Sequence, residues 1–504
     1  MKKLFIILSA AVLLTACLGE EPRTELPLED VITDASSLYS NTVSTLYNYI
    51  GGYVAGEGLQ GTYRGVYDLQ TFTTDEAIIP TRGGDWYDGG LWQELFLHTY
   101  TDDNEVIENA WKYLYKVVML TNRSLSIIDD YQELLSNEQY LAYTAEVKAL
   151  RAMYYYYLID LFGDVPLVQS VDMSVYDIYC SPRETVFNFI ISELENSLPY
   201  LSDDRSQKLG AYYGHVTKAV AYFIMMKMYL NSEVWTGTAR WEKVEEMAGY
   251  IEGLGYKLDD KQSDCFAVHN EYSTENIFTI PMDKVLYRNQ FWNQFRSLHY
   301  QHGSALGYGG ENGACATIET LNTFGYQTET LDSRFQTTFF ADTVYNLDNE
   351  PLTLTDGTIL VYHPLEVKLD LTTSPYIITA GARMRKYEHD PTAVSDGKLR
   401  STDIVLFRYA DVLLMVAEAK VRQGKDGAAE FNKVRARSAV AERECTLENI
   451  YEERKLELMW EGWRRQDMIR FGTYCNALHD RPQISDSKVV FPIPQAVKDM
   501  NPNL

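Results

Sequence analysis

Apolar side chains recur every three or four residues through the first half of the chain and again near its end. That spacing puts them on one face of a helix. It predicts helices over 36–49, 104–129, 137–161, 182–198, 215–230 and 241–254, then over 407–423, 427–439 and 447–469. The stripe in 104–129 runs Val106, Ile107, Trp111, Leu114, Val117, Val118. Local signals agree. Gly163 and Pro166 stop the helix that carries the tyrosine run Tyr154–Tyr157, and Ser181 with Glu184 reads as a capping box for the next one.

The helices come in pairs with short connections, and small residues such as Ala219 and Ala221 alternate with large ones such as Tyr222 and Met225. This is how tetratricopeptide-type hairpins bury one face on the next, although the period here is irregular and the consensus is poor. Two stretches interrupt the pattern. Residues 51–103 and 255–400 are rich in Gly, Thr, Asp and Asn, with short alternating runs at Asn276–Ile280 and 358–362. The predicted fold is mainly α. A helical scaffold (about 31–50, 104–254 and 401–470) carries two irregular portions with short strands. Binding residues gather on loops that a rigid scaffold positions.

Those portions hold conspicuous aromatics. GGDWYDGGLW, residues 83–92, sets Asp85, Trp86, Tyr87 and Asp88 among glycines. A second mixture is Arg288, Asn289, Trp292, Asn293 and Gln294, followed by Tyr300; a third is the basic run Arg383–Tyr387. Trp or Tyr covers the apolar face of a sugar ring, while Asp, Asn, Arg and Gln bond its hydroxyl rim. Trp92, followed by Leu95 and Phe96 at helical spacing, reads as core. Trp292 reads equally well as core or platform.

Composition sharpens this picture. The 504 residues are 46% hydrophobic and 23% charged, ordinary for a globular chain, but the net charge is −26. Such a surface disfavours nucleic acid, whose binding depends on Lys and Arg, and favours neutral or cationic ligands. The N-terminus, MKKLFIILSAAVLLTACLGEE, has a basic start and an apolar run to Ala16. That run is shorter than the roughly 20 residues that span a bilayer, and suits a signal peptide. Leu14-Thr15-Ala16-Cys17 resembles the lipobox of bacterial lipoproteins, which implies cleavage after residue 16, lipidation of Cys17 and a flexible leader over 17–30. Cys180, Cys265, Cys315, Cys445 and Cys475 show no CxxC spacing and read as isolated thiols.

Three segments together resemble the SusD/RagB family of outer-membrane nutrient-binding lipoproteins. They are Glu146–Val168 (EVKALRAMYYYYLIDLFGDVPLV), Arg408–Ala419 (RYADVLLMVAEA) and Glu453–Arg470 (ERKLELMWEGWRRQDMIR), with the ending Phe491–Gln495 and Asn501–Leu504. Trp463 departs from the small or polar residues usual at its position. The resemblance implies a single SusD-like domain over 31–504, built on four TPR-like hairpins. It also implies a lipid-anchored protein, exposed at the surface of the outer membrane, that passes glycan to a SusC-like TonB-dependent transporter. The implied site is shallow, with Trp86 at its centre flanked by Asp85 and Tyr87. Trp292 and Arg383 lie in segments that often contribute to it, without a strict motif, and Asp68 is a further candidate.

Catalytic signals are missing. No GxSxG, P-loop or HExxH occurs, and no cofactor is called for. His299 and His302 lack a third ligand at metal spacing. Asp102, Asp103 and Asn104 lack EF-hand spacing and read as a helix cap. Glu453, Glu457 and Glu461 recur at four-residue intervals among arginines, which suits an ion-pair network rather than two carboxylates across a cleft. The expected function is glycan capture without catalysis. Two alternatives stay open: the same fold binding peptides or glycopeptides, as RagB-like relatives imply, or a surface glycoside hydrolase using Asp85 and Asp88.

Overall fold

The computed structural model describes residues 27–52, 54–205, 211–283, 291–307, 309–393 and 400–504. The leader with Cys17 lies outside them, as do Arg288 and Asn289. Four helical hairpins form the scaffold. Ala35–Tyr39 runs through a π-turn into Thr45–Gly51, and the turn and this second helix pack on Glu105–Asp130; Asn137–Phe162 pairs with Arg183–Ser197, Lys218–Thr236 with Trp241–Gly253, and Tyr409–Arg422 with Ala428–Arg437. Consecutive hairpins stack, and Leu447–Leu458 closes the array on Tyr409–Arg422. Among the described residues no helix is long and apolar enough to cross a membrane.

The helix ends follow from local chemistry. Asn104 Oδ1 accepts the Val106 N–H at 3.1 Å, and Ser136 with Gln139 forms a capping box. Tyr154 to Tyr157 are all buried. The Tyr154 hydroxyl meets that of Tyr113 at 3.0 Å, Tyr155 donates to the Val168 carbonyl at 3.0 Å, and Tyr156 accepts from Gln466 at 2.6 Å. The expected cap at Ser181 is not formed. Pro182 is the N-cap residue, and the Arg183 N–H is taken by Asp164 Oδ1 at 2.8 Å, so the GDVP turn of the preceding helix supplies the cap.

Among the described residues, the irregular portions hold only two-stranded pairings. The longest sets Asn276–Ile280 antiparallel to Ile404–Arg408, a strand that runs directly into Tyr409–Arg422. Phe339–Phe340 pairs with Arg383–Met384, and Ala77–Ile78 with Cys315–Ala316.

The helix expected over 447–469 is broken. Met459 leaves helical geometry, Trp460 and Gly462 take φ of 69° and 74°, and the chain resumes as Arg464–Arg470. The break satisfies buried partners that a continuous helix would miss. The Trp460 N–H donates to Glu76 Oε1 at 2.5 Å, and Glu461 turns onto Arg408 at 2.7 Å and onto Lys386. Trp463 lies buried with the Lys227 ammonium 3.8 Å above its ring. The Glu453–Glu457–Glu461 series is an ion-pair network even so. Glu457 binds Arg334 at 3.0 Å, Arg408 at 2.6 Å and Arg437; Glu453 binds Arg334 at 2.6 Å and Arg435 at 2.5 Å. Glu275 adds Arg408 and Arg437, each at 2.8 Å. The arginines hold Glu457 well below its ordinary pKa, against the desolvation that would raise it.

Glu76 behaves oppositely. Burial pushes its carboxyl up to about 7, against the pull of the Trp460 N–H and Arg464. A carboxyl raised in the folded state contributes stability that is complete below its unfolded pKa, near 4.5, and is lost as pH rises through about 7. Glu76→Gln keeps the acceptor and removes the ionisation. Its unfolding midpoint is expected to gain on the wild type between pH 6 and pH 8, in denaturant titrations at each pH. A difference that does not change across that range would refute the protonated state.

Candidate ligand platform

The loop that begins at Arg82 is rooted below the surface. The Arg82 and Asp85 backbones exchange hydrogen bonds of 2.9 and 3.2 Å, closing a turn through Gly83 (φ 69°). The buried Arg82 guanidinium donates to the carbonyls of Ile377 and Ala380 at 2.8 and 2.9 Å, and burial lowers its pKa to about 9. From this root the chain takes left-handed backbone at two non-glycine residues, Trp86 (φ 60°) and Asp88 (φ 44°). Such conformations cost about 1–3 kcal/mol each and persist only where neighbours over-determine them.

The neighbours are specific. Trp86 Nε1–H donates to the Glu311 carbonyl at 2.7 Å. Its ring lies so close to Gly313 that a Cβ there would sit 2.6 Å from the indole carbons. Trp92 Nε1–H donates to Asp88 Oδ2 at 2.9 Å, and Arg64 pairs with the same oxygen at 3.0 Å. Trp92 is 1% exposed, 6.1 Å from Trp86 and edge-on to Phe72 at 6.2 Å. It is the peg that its helical spacing predicts, and Trp86 is the half-buried ring above it.

Around Trp86, Asp85, Tyr87 and Asp88 are exposed. The Tyr300 hydroxyl donates to Asp85 Oδ2 at 2.5 Å; partial burial and that carboxylate push the Tyr300 pKa up to about 12. Trp292 is half-buried, with its ring 4.8 Å from Tyr63 and 5.6 Å from Phe295. The order Trp86, Asp88, Arg64, Tyr63, Trp292 therefore makes one polar and aromatic surface from three separate segments. Tyr63 and Arg64 were not in the site read from sequence, whereas Tyr300 belonged to its second aromatic mixture. The signal for both was their glycine-framed mixture, GTYRG, of the same kind as the Trp86 loop.

Two sequence candidates do not face this surface. Asp68 is completely buried, bound to Arg296 at 2.7 and 3.1 Å, and accepts the Arg64 N–H at 2.5 Å. Arg296 in turn lies over the rings of Phe72 and Trp92, so Asp68 supports the platform from beneath. Arg383 is also completely buried, donating to the carbonyls of Ser297 and Ala380 at 3.1 and 3.0 Å. Its place in a strand turns it inward, and of the RMRKY run only Arg385 is an exposed base.

Among the described residues, the histidines and the acidic cluster that could hold a metal are already engaged. His299 and His302 are buried, their pKa values lowered to about 4 and about 3 by desolvation, and His302 Nδ1 meets the Tyr362 hydroxyl at 3.0 Å. Asp259, Cys265 and Glu275 lie close together, but Glu275 is bound to two arginines and Asp259 to Ser273 and Thr274.

Family models agree with this architecture. One described as the SusD family matches residues 274–503, and one described as starch-binding and associating with the outer membrane matches 60–230. The chain belongs to the SusD family. It is similar to the starch-binding protein SusD of Bacteroides thetaiotaomicron, with 25% identity over 83% of this chain and 78% of that protein. SusD-like protein P25 of Formosa agariphila is likewise 25% identical, over 79% and 78%. Among solved structures, the fold matches a laminarin-binding SusD-like protein (TM-score 0.73, 20% identity, 92% and 97% covered). It also matches surface glycan-binding protein A of Bacteroides thetaiotaomicron in complex with laminarihexaose (TM-score 0.72, 20% identity, 94% and 99% covered).

The Trp86–Gly313 contact is testable without ligand. Gly313→Ala is expected to shift tryptophan fluorescence and near-UV dichroism by displacing the indole, with little change in the unfolding midpoint. Spectra identical to wild type would mean that Trp86 does not rest on Gly313.

Proposed function

We propose that this protein is a surface glycan-binding lipoprotein that captures oligosaccharide on the Trp86 platform and delivers it to a SusC-like TonB-dependent transporter in the outer membrane. The observation that carries the reading is the Trp86 ring, held at a strained backbone position and flanked by exposed Asp85, Tyr87 and Tyr300. The ring offers an apolar face, and its few rotatable bonds keep the ordering cost low. Asp85, Tyr87 and Asp88 supply the rim, and Trp292 with Tyr63 extends the surface sideways. The relatives' starch and laminarin binding supports a glycan as cargo. The leader with Cys17 supports attachment through lipid, and the family's association with the outer membrane fits it.

Capture requires no bond-breaking step. The Asp85 and Asp88 carboxylates are engaged by Tyr300, and by Arg64 and Trp92, rather than set as an acid and a nucleophile on either side of a cleft. Release to a transporter favours micromolar to millimolar affinity, about −8 to −4 kcal/mol.

Isothermal titration against neutral oligosaccharides tests the site. Trp86→Ala is expected to weaken binding at least tenfold with the fold intact; unchanged affinity would remove Trp86 from the site, and preferential binding of a peptide library would replace glycan as the cargo. Incubation with polysaccharide is expected to release no new reducing ends. Release that disappears in Asp85→Asn would make the protein a hydrolase.

A further inference from the structure

A cavity of about 720 Å³ opens beside the platform, walled by Phe340, Asp342, Tyr345, Arg385 and Glu388 among others. It is a separate space. Tyr300, at the start of the Tyr300–Ala305 helix, reaches Asp85 on the platform, whereas His302 of the same helix packs edge-on against Phe340 at 4.6 Å and Leu306 lines the cavity. Phe340 and Trp292 both pack on the cluster of Phe295, Leu298 and Leu306, so one small hydrophobic core supports both.

The wall carries unused hydrogen-bonding capacity of both signs. The exposed Arg385 guanidinium lies 5.2 Å over the Phe340 ring and makes no ion pair or side-chain hydrogen bond with any described residue. Its partial burial, with no carboxylate to offset it, lowers its pKa. Asp342 accepts the Tyr326 hydroxyl at 2.6 Å through Oδ1 only, and Glu388 accepts the Val268 N–H at 2.8 Å through Oε2 only. Asp342 sits at φ 57°, a left-handed position, and is exposed. Tyr345 is 50% exposed.

This mixture selects a ligand class. Arg385 is all donor and the two carboxylates are all acceptor. An anionic ligand would meet Arg385 but be repelled by Asp342 and Glu388, and a cationic ligand would meet the reverse. A neutral sugar hydroxyl donates and accepts at once, so it satisfies both kinds of wall, with Tyr345 and Phe340 providing apolar surface. The volume lies within the range of small-ligand sites, about 300–1,000 Å³. We propose that this cavity is a second saccharide site that takes a neutral sugar unit, distinct from the Trp86 platform and set to hold another part of the same chain or a branch. The proposal rests on the glycan-binding reading above.

The test uses the mature protein on an array of neutral oligosaccharides (glucans, mannans, xylans and fructans) with oligogalacturonides alongside. Calorimetry of the best neutral binder then follows with Arg385→Gln, Tyr345→Ala and Trp86→Ala. Arg385→Gln and Tyr345→Ala are each expected to weaken binding at least fivefold with an unchanged unfolding midpoint, and each is expected to add to the loss from Trp86→Ala. Affinity that falls with Trp86→Ala but not with either cavity variant would overturn the second site alone. Oligogalacturonides bound more tightly than neutral sugars, in a manner lost with Arg385→Gln, would overturn the neutral assignment. No binding to any neutral sugar would remove the glycan reading and this site with it.

Discussion

The structure depends on one arrangement of buried charge. Glu457 is completely buried and bound by three arginines, two of which belong to the scaffold and one, Arg334, to the irregular portion. Glu275 and Lys386 reach into the same network from the irregular portion as well. Desolvating so many ions is costly, and a hydrophobic replacement often packs as well. What the charges add here is register. An arginine fork against a carboxylate fits in few geometries, so segments with almost no regular structure are fixed to helices at defined points. A loop-rich portion can then be long without being loose.

The platform repeats this logic on a smaller scale. Asp68 and Arg296 are buried beneath Phe72 and Trp92. Above them, Arg64, Trp86 and Asp88 all adopt left-handed backbone and are linked through the Arg64–Asp88–Trp92 contacts. None of these strained residues stands alone. A ring held this way is ordered before any ligand arrives, so contact with it costs little conformational entropy.

Much of the scaffold was legible in the sequence, because helical periodicity and stop signals act locally. The hairpins around Tyr154–Tyr157 and Trp241, the Asn104 cap and the core role of Trp92 all follow from spacing. Long-range partners are invisible to that reading. Glu453, Glu457 and Glu461 keep helical spacing, yet the helix breaks after Leu458 because Glu76, far away in sequence, takes the Trp460 amide. Ser181 looked like a cap because Asp164 could not be placed beside Arg183. Arg383 and Asp68 had the right residue types for a sugar rim, but burial depends on strand pairing and on an arginine more than two hundred residues later. The charged residues whose roles sequence misjudged are those with distant partners.

The break between Leu458 and Arg464 also has a consequence in time. Asp75 and Glu76 find their partners, Lys455, Trp460 and Arg464, only across some 380 residues of chain. Until that distant segment has been made, the Asp75 and Glu76 carboxylates lack these partners. Contacts this distant form late and slow folding. The first irregular portion is therefore fixed at Asp75 and Glu76 only once the segment that follows the last hairpin is in place, so these two carboxylates join the two ends of the chain in a late step.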